Sequence, residues 1–247
     1  MRKILSALIL VCLFTANLSA QVNTTQFGFS FKPIFPSKYL RTGPKEFSDK
    51  NIQYKLSQNS GYSAGVMVRR GITKKLSGET GILYVKRNFD MVLSDSSYSD
   101  NSSFSIIGYE VPLSALVFIQ LDEKLWMNVA LGGSIDIFPS DILTFKDEFL
   151  HYSSRNTKVN AGVLANIGLE YRTAKSGTIY FGTSYHRSVN SIYNTLIEYY
   201  PTRNYNDPYT SSGKTKLQGD YFTFDVRYYF HEDPEKKKNK KKTKAKN

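Results

Sequence analysis

The chain has 247 residues, a formal net charge of +12, 14% aromatic residues and a mean hydropathy of −0.37. Beyond residue 20 no run approaches the roughly 20 apolar residues of a membrane helix, which excludes a helical membrane protein. The charge is concentrated at the ends. Arg2 and Lys3 open the chain, and the stretch 231–247 sets eight Lys against Glu232, Asp233 and Glu235, so residues 21–230 keep only +5, too little for a nucleic-acid-binding face.

The first 20 residues read as a secretory signal: a basic start, the apolar core "ILSALILVCLFTA", and a cleavage point after Ala20. Cys12 lies inside this segment and Val11 precedes it, which does not suit a lipid anchor. Residues 21–247 hold no Cys, so disulfides and thiolate chemistry are excluded there.

Residues 21–230 then alternate with a period of two, the signature of strands, and no long stretch repeats at 3.6 residues. Eight strands are expected. The first, 26–35, sets Phe27, Phe29 and Phe31 against Gly28, Ser30 and Lys32. The second, 61–70, sets Tyr62, Ala64, Val66 and Val68 against Ser63, Gly65, Met67 and Arg69. The third, 75–89, is noisy: Thr80, Ile82 and Tyr84 oppose Glu79 and Gly81, but Leu83 and Val85 share the face of Glu79. The fourth, 105–119, sets Ile107, Tyr109, Val111, Leu113 and Val117 against Gly108, Glu110, Pro112 and Ser114. Pro112 in its middle predicts a bulge.

The fifth, 124–138, sets Met127, Val129, Leu131 and Ile135 against Trp126, Asn128, Ala130, Ser134 and Asp136. The sixth, 158–172, sets Val159, Val163, Ile167 and Leu169 against Asn160, Gly162, Asn166, Gly168 and Glu170. The seventh, 177–188, sets Ile179, Phe181 and Tyr185 against Gly182, Ser184 and His186. The eighth, 220–230, sets Phe222, Phe224, Val226, Tyr228 and Phe230 against Thr223, Asp225 and Arg227.

The connections sort by parity. Those after the second, fourth and sixth strands are short ("RRGITKK", "QLDEK", "RTAKSG"). Those after the first, third, fifth and seventh are long and polar, about 36–60, 90–104, 139–157 and 189–219. This predicts an all-β fold: an eight-stranded antiparallel transmembrane β-barrel with short periplasmic turns and long extracellular loops, located in the cell outer membrane. The domain organisation follows as a signal peptide (1–20), the barrel (21–230) and a disordered, lysine-rich periplasmic tail (231–247). Apolar faces meet lipid. The opposite faces carry Lys32, Arg69, Glu79, Glu110, Asp136, Glu170, Asp225 and Arg227, which predicts a narrow lumen plugged by paired charges.

Several pieces carry a family resemblance: "LSAQ" at the signal junction, "TGILYVKRNF" in the third strand, "YEVPLSALVFI" in the fourth, "GLEYR", and the ending "FDVRYYF". Together they resemble the PorT-like outer-membrane β-barrel family of the Bacteroidota. The resemblance implies an eight-stranded outer-membrane barrel and makes Pro112 a family feature. It implies that the terminal aromatic Phe230 suits barrel-assembly machinery. It carries no shared catalytic residues; some members take part in type IX secretion, and the quoted pieces assign no such role here.

Candidate sites are few. In "YHRSV", His186 and Ser188 lie two apart on one strand face, a spacing that some outer-membrane lipid hydrolases use. A nucleophilic Ser also needs a third group to orient its base. No acidic partner stands out and the pair faces the lumen, so a hydrogen-bonding role is expected. The three histidines (151, 186 and 231) are scattered, and neither a metal site nor a phosphate loop is expected. No cofactor is expected. The tyrosine-rich stretch 192–213 offers contact area for a protein or glycan partner, or else packs over the barrel mouth. The tail lysines suit a solvated extension or a periplasmic contact, not nucleic acid. The reading is a non-enzymatic outer-membrane barrel with an envelope-structural or surface-binding role, or a part in a secretion or uptake assembly. Two alternatives are a soluble periplasmic lipocalin-like barrel and a lipid hydrolase using His186 and Ser188.

Overall fold

A computed structural model describes residues 24–37, 39, 41–94, 99–146, 149–173, 175–200 and 211–231. The expected signal segment and nearly all of the lysine-rich tail lie outside the described residues. Thirteen strands follow in chain order: β1 (Thr25–Phe35), β2 (Lys45–Asp49), β3 (Ile52–Gly71), β4 (Leu76–Ser94), β5 (Ser99–Gln120), β6 (Leu125–Ile137), β7 (Ile142–Phe145), β8 (Phe149–Arg155), β9 (Val159–Arg172), β10 (Thr178–Ser188), β11 (Tyr193–Tyr199), β12 (Ser211–Leu217) and β13 (Tyr221–Tyr229).

Eight of them close a ring. Neighbours run antiparallel in the order β1, β3, β4, β5, β6, β9, β10, β13, and β13 pairs back onto β1 from Gly28 opposite Tyr229 to Phe35 opposite Phe222. Closure leaves no sheet edge in the ring, so its backbone donors and acceptors are satisfied internally. A sheet in hydrocarbon must meet that condition. The short connections are tight turns. After β3, Thr73 Oγ1 accepts the Leu76 N–H at 3.0 Å. After β9, Gly177 adopts a φ of +93°, a conformation that glycine takes without a Cβ clash.

The facing follows the sequence pattern. Along β13 the alternation is complete: Phe222, Phe224, Val226 and Tyr228 are exposed, while Thr223, Asp225 and Arg227 are buried. Phe27, Phe29, Phe31, Leu113, Leu131, Val163, Ile167 and Phe181 extend the exposed apolar belt around the ring. Phe31, Tyr62, Tyr84 and Tyr109 form a row of touching rings, with centroids 6.3, 5.9 and 6.1 Å apart in turn. Aromatic girdles of this kind sit at membrane interfaces. A soluble lipocalin-like barrel needs the reverse arrangement, apolar inside and polar outside. A closed ring with this exterior is an outer-membrane barrel.

Two expectations are corrected and one open facing is resolved. Pro112 makes no bulge: Thr80 opposite Leu113 and Leu83 opposite Glu110 keep one register on either side of it. The ring loses only the missing donor, and the Pro112 carbonyl accepts the Thr80 hydroxyl at 2.8 Å. The register shift lies instead on β3, between Asn59 and Tyr62. The third strand's ambiguous face is resolved inward. Leu83 packs with Met67 and Tyr229, and Val85 with Ile34 and Tyr221, all buried inside the ring.

The largest correction concerns the long connections, most of which are sheet. β3, β4 and β5 run to 20, 19 and 22 residues, well past the roughly 9–11 needed to cross a bilayer. Their ends, with β2, stand above the ring. A second sheet, in the order β12-β11-β8-β7, covers them. Between the two lies an apolar core that includes Tyr54, Leu56, Phe89, Met91, Phe104, Ile106, Phe138, Phe149, Tyr193, Ile197 and Tyr199. Of the tyrosine-rich stretch, Tyr193 and Tyr199 therefore pack over the mouth; residues 201–210 lie outside the described residues. The ring carries a folded head.

Phe224 is 55% exposed on the belt. Phe224→Arg is expected to cost about 2–4 kcal/mol at the bilayer midplane. Boiled and unboiled outer-membrane fractions, compared on an SDS gel, should show the heat-dependent mobility shift of a folded barrel for the parent and a reduced folded fraction for the variant.

Candidate functional site

The inward residues of β4 run through the interior in layers: Glu79, then Leu83 and Val85, then Arg87, then Phe89 and Met91 of the head core. The apolar pair separates two polar clusters.

The cluster nearer the short turns is a chain of charges alternating in sign. Lys32 Nζ lies 3.9 Å from Asp225 Oδ2, and Arg227 reaches the same oxygen at 2.5 Å. Arg227 Nη1 then meets Glu79 Oε1 at 2.6 Å, and Glu79 Oε2 accepts from Arg69 Nε at 3.0 Å. Arg69 Nη1 meets Glu170 Oε1 at 2.5 Å, and Arg172 closes the chain on Glu170 Oε2 at 3.0 Å. Arg69 and Glu79 are register partners on adjacent strands; Arg227 reaches Glu79 across the lumen from β13. Neutral donors complete the carboxylates: Tyr229 to Glu79, Asn128 to Glu170 at 2.8 Å, and Ser184 and Thr223 to Asp225 at 2.5 and 2.6 Å. Arg69 also lies 3.9 Å over the Tyr229 ring and Arg172 4.3 Å over Trp126. Buried charges need this degree of pairing, because each one stripped of water costs several kcal/mol.

The second cluster lies beneath the head. Glu110 on β5 and Asp136 on β6 are register partners, both buried. His186 on β10 reaches them across β9, over Gly162. Its Nε2 lies 3.0 Å from Ser134 Oγ, 3.0 Å from Asp136 Oδ2 and 3.8 Å from Glu110 Oε2. Its Nδ1 contacts the Gly219 carbonyl at 3.1 Å, and its ring stacks on Tyr221 at 4.5 Å. Tyr221 donates its hydroxyl to Glu110. Arg41 clasps Asp220 at the rim with two contacts of 2.7 Å.

His186 and Ser188 share the inward face, as expected, but do not form a nucleophile–base pair. Ser188 Oγ accepts from Asn160 Nδ2 and donates to the Asn190 carbonyl, each at 2.9 Å, while His186 is turned to Ser134 and Gly219. A serine activated as nucleophile needs its base within hydrogen-bond reach. All eight inward charges expected from the sequence are buried. Arg87 and Asp220 are buried with them, and the half-buried Arg172 and Arg41 pair with this set. Arg87 follows Leu83 and Val85 at the same two-residue step, which was the available signal.

In the head, His151 is buried against Phe104, with ring centroids 4.2 Å apart, and its Nε2 bonds Ser153 Oγ at 2.9 Å. Burial pushes its pKa down to about 4.

No protein-family model matches the sequence, and no curated protein does. Among solved structures there are similarities of fold. The outer membrane protein OprG from Pseudomonas aeruginosa is similar with a TM-score of 0.54 and 12% identity, over 86% of this chain and 99% of that one. Looser likenesses are the outer membrane protease OmpT from Escherichia coli (0.32, 9%, over 87% and 97%) and the translocator domain of the autotransporter NalP from Neisseria meningitidis (0.31, 9%, over 93% and 94%). At 12% identity the likeness to OprG is one of fold.

Two expectations come from this interior. Glu79→Ala leaves Arg227 and Arg69 short of a counter-charge and is expected to lower stability by about 3–5 kcal/mol. Urea unfolding in detergent should show a smaller loss for the double variant Glu79→Ala/Arg227→Met than for Glu79→Ala. The second concerns His151, whose folded pKa of about 4 lies below the ordinary 6.5. Between these values the unfolded head binds the proton and the folded head does not, so stability falls as pH drops through the window. Proteolysis of the head should quicken on acidification from about pH 7 to about pH 5 in the parent, and much less in His151→Phe.

Proposed function

We propose that this protein is a non-conducting, non-enzymatic outer-membrane barrel that holds a rigid binding head at the cell surface. The observation that carries this reading is the double closure of the lumen. The alternating charge chain fills the ring, and the head core, with Phe138, Phe149 and Tyr193 fully buried, lies over its mouth. An eight-stranded ring is just wide enough to be filled by side chains. In the usual orientation the short turns are periplasmic and the head is extracellular.

The surface of the head supports a recognition role. One open groove of about 560 Å³ is lined by Asp90, Val92, Asn101, Ser102, Ser103 and Lys146. Another of about 400 Å³ is lined by Glu46, Gln53, Lys55 and the rings of Phe47 and Tyr54, among others. Hydroxyl, amide and mixed-charge linings suit a glycan or a polar segment of a protein. The resemblance to PorT-like barrels fits a place in an envelope assembly, with the basic tail as a periplasmic contact. The hydrogen bonding of Ser188 weighs against a hydrolase.

The test is electrical. Purified, heat-modifiable protein inserted into planar bilayers is expected to give no stable conductance steps. Reproducible steps of one size would overturn the closed-lumen reading.

A further inference from the structure

The cluster of Glu110, Asp136 and His186 is suited to a metal ion. The three side chains come from β5, β6 and β10, all are buried, and one donor atom from each lies within 4.8 Å of the others. The tautomer of His186 sharpens the point. A carbonyl can only accept, so the contact with Gly219 places a hydrogen on Nδ1. Nε2 is then the atom that faces both carboxylates. Metal-ligating histidines are oriented in this way by a carbonyl on the second nitrogen.

The carboxylates are also incompletely satisfied. Asp136 Oδ2 lies 3.0 Å from Nε2 but outside hydrogen-bond alignment, and it and Glu110 Oε1 are buried without a hydrogen-bond partner. Arg87 attracts Asp136 from a distance, but its guanidinium lies over the Tyr221 ring at 4.9 Å and makes no ion pair with either carboxylate among the described residues. Asp136 Oδ2 faces the imidazole nitrogen unpartnered, and Glu110 turns Oε2, which already takes the Tyr221 hydroxyl, to the same nitrogen while its Oε1 stays unpartnered; buried carboxylate oxygens left in this state call for a cation. The spacing agrees. Donors about 2.1 Å from a tetrahedral zinc ion sit about 3.4 Å apart, and Nε2 lies 3.0 and 3.8 Å from the two carboxylates.

The space beside Nε2 is kept by Gly162. A Cβ there would collide with both His186 Nε2 and Ser134 Oγ. The glycine lets the imidazole cross β9 and leaves Ser134 as a further oxygen near the ion.

We propose that Glu110, Asp136 and His186 bind one divalent first-row transition-metal ion, which ties β5, β6 and β10 together beneath the head. One imidazole with two carboxylates suits zinc or manganese. The site does not depend on the head's binding role.

The experiment uses full-length protein shown to be folded by its heat-dependent gel shift. It is stripped with chelator, exposed separately to Zn²⁺ and Mn²⁺, freed of loose metal by gel filtration and analysed for metal content. The parent and Ser188→Ala should each retain one ion per chain. Asp136→Asn and His186→Gln should retain none. Folded parent that retains no ion, or variants that keep theirs, would overturn the proposal. Should the variants not fold, Co²⁺ added to the parent decides. A visible absorption of a four- or five-coordinate ion with N and O ligands is expected, and the spectrum of the free aqueous ion alone would overturn the site.

Discussion

An eight-stranded ring encloses a space that water cannot usefully fill and that lipid cannot enter, so the inward side chains must neutralise one another. In this protein the requirement is met by a single chain of alternating charge, Lys32–Asp225–Arg227–Glu79–Arg69–Glu170–Arg172. Its members come from β1, β13, β4, β3 and β9. The contacts therefore brace the ring across its diameter as well as along its wall. Glycines make room for it: a Cβ at Gly168 or Gly182 would collide with the Tyr180 ring, which lies under Arg227. The apolar exterior and the ionic interior are two sides of the same alternation, and neither is stable without closure of the other.

The two polar clusters differ in how fully they are satisfied. Around Glu79, Glu170 and Asp225 each carboxylate meets cations and neutral donors together. Around Glu110 and Asp136 it does not, although Tyr221, Ser134 and His186 are close. Leu83, Val85, Met67 and Ile34 hold the clusters apart. Apolar residues inside a membrane barrel are thus spacers between electrostatic compartments.

The ring was legible where one strand face is charged and the other apolar, as in β13, because lipid on one side and a packed lumen on the other enforce strict alternation. It was illegible where the outer face meets water. The stretch 90–104 is rich in Ser, Asp and Asn, and that composition reads as loop. Yet Phe89, Met91 and Leu93 continue the inward rhythm of β4 into the head core. Ile52, Tyr54 and Leu56 do the same on β3. The identities of the inward charges could be read from the sequence, but their partners could not. Arg227 and Glu79 meet across the lumen, and His186 meets Asp136 only because the intervening β9 carries a glycine. Those contacts depend on ring closure and side-chain reach, which a linear pattern does not encode.

β4 and β5 pass from ring to head as continuous strands, and β3 does so with one register shift between Asn59 and Tyr62, so the two are joined by sheet and not by a loop. Residues 87–94 of β4 alone give about 23 Å of continuous strand at 3.3 Å per residue. The grooves are thereby held at a set height and bearing above the bilayer. A partner docked there would acquire a defined azimuth relative to every neighbour of the barrel, and a pull on the head would be transmitted to the ring as torque instead of being absorbed by a flexible tether.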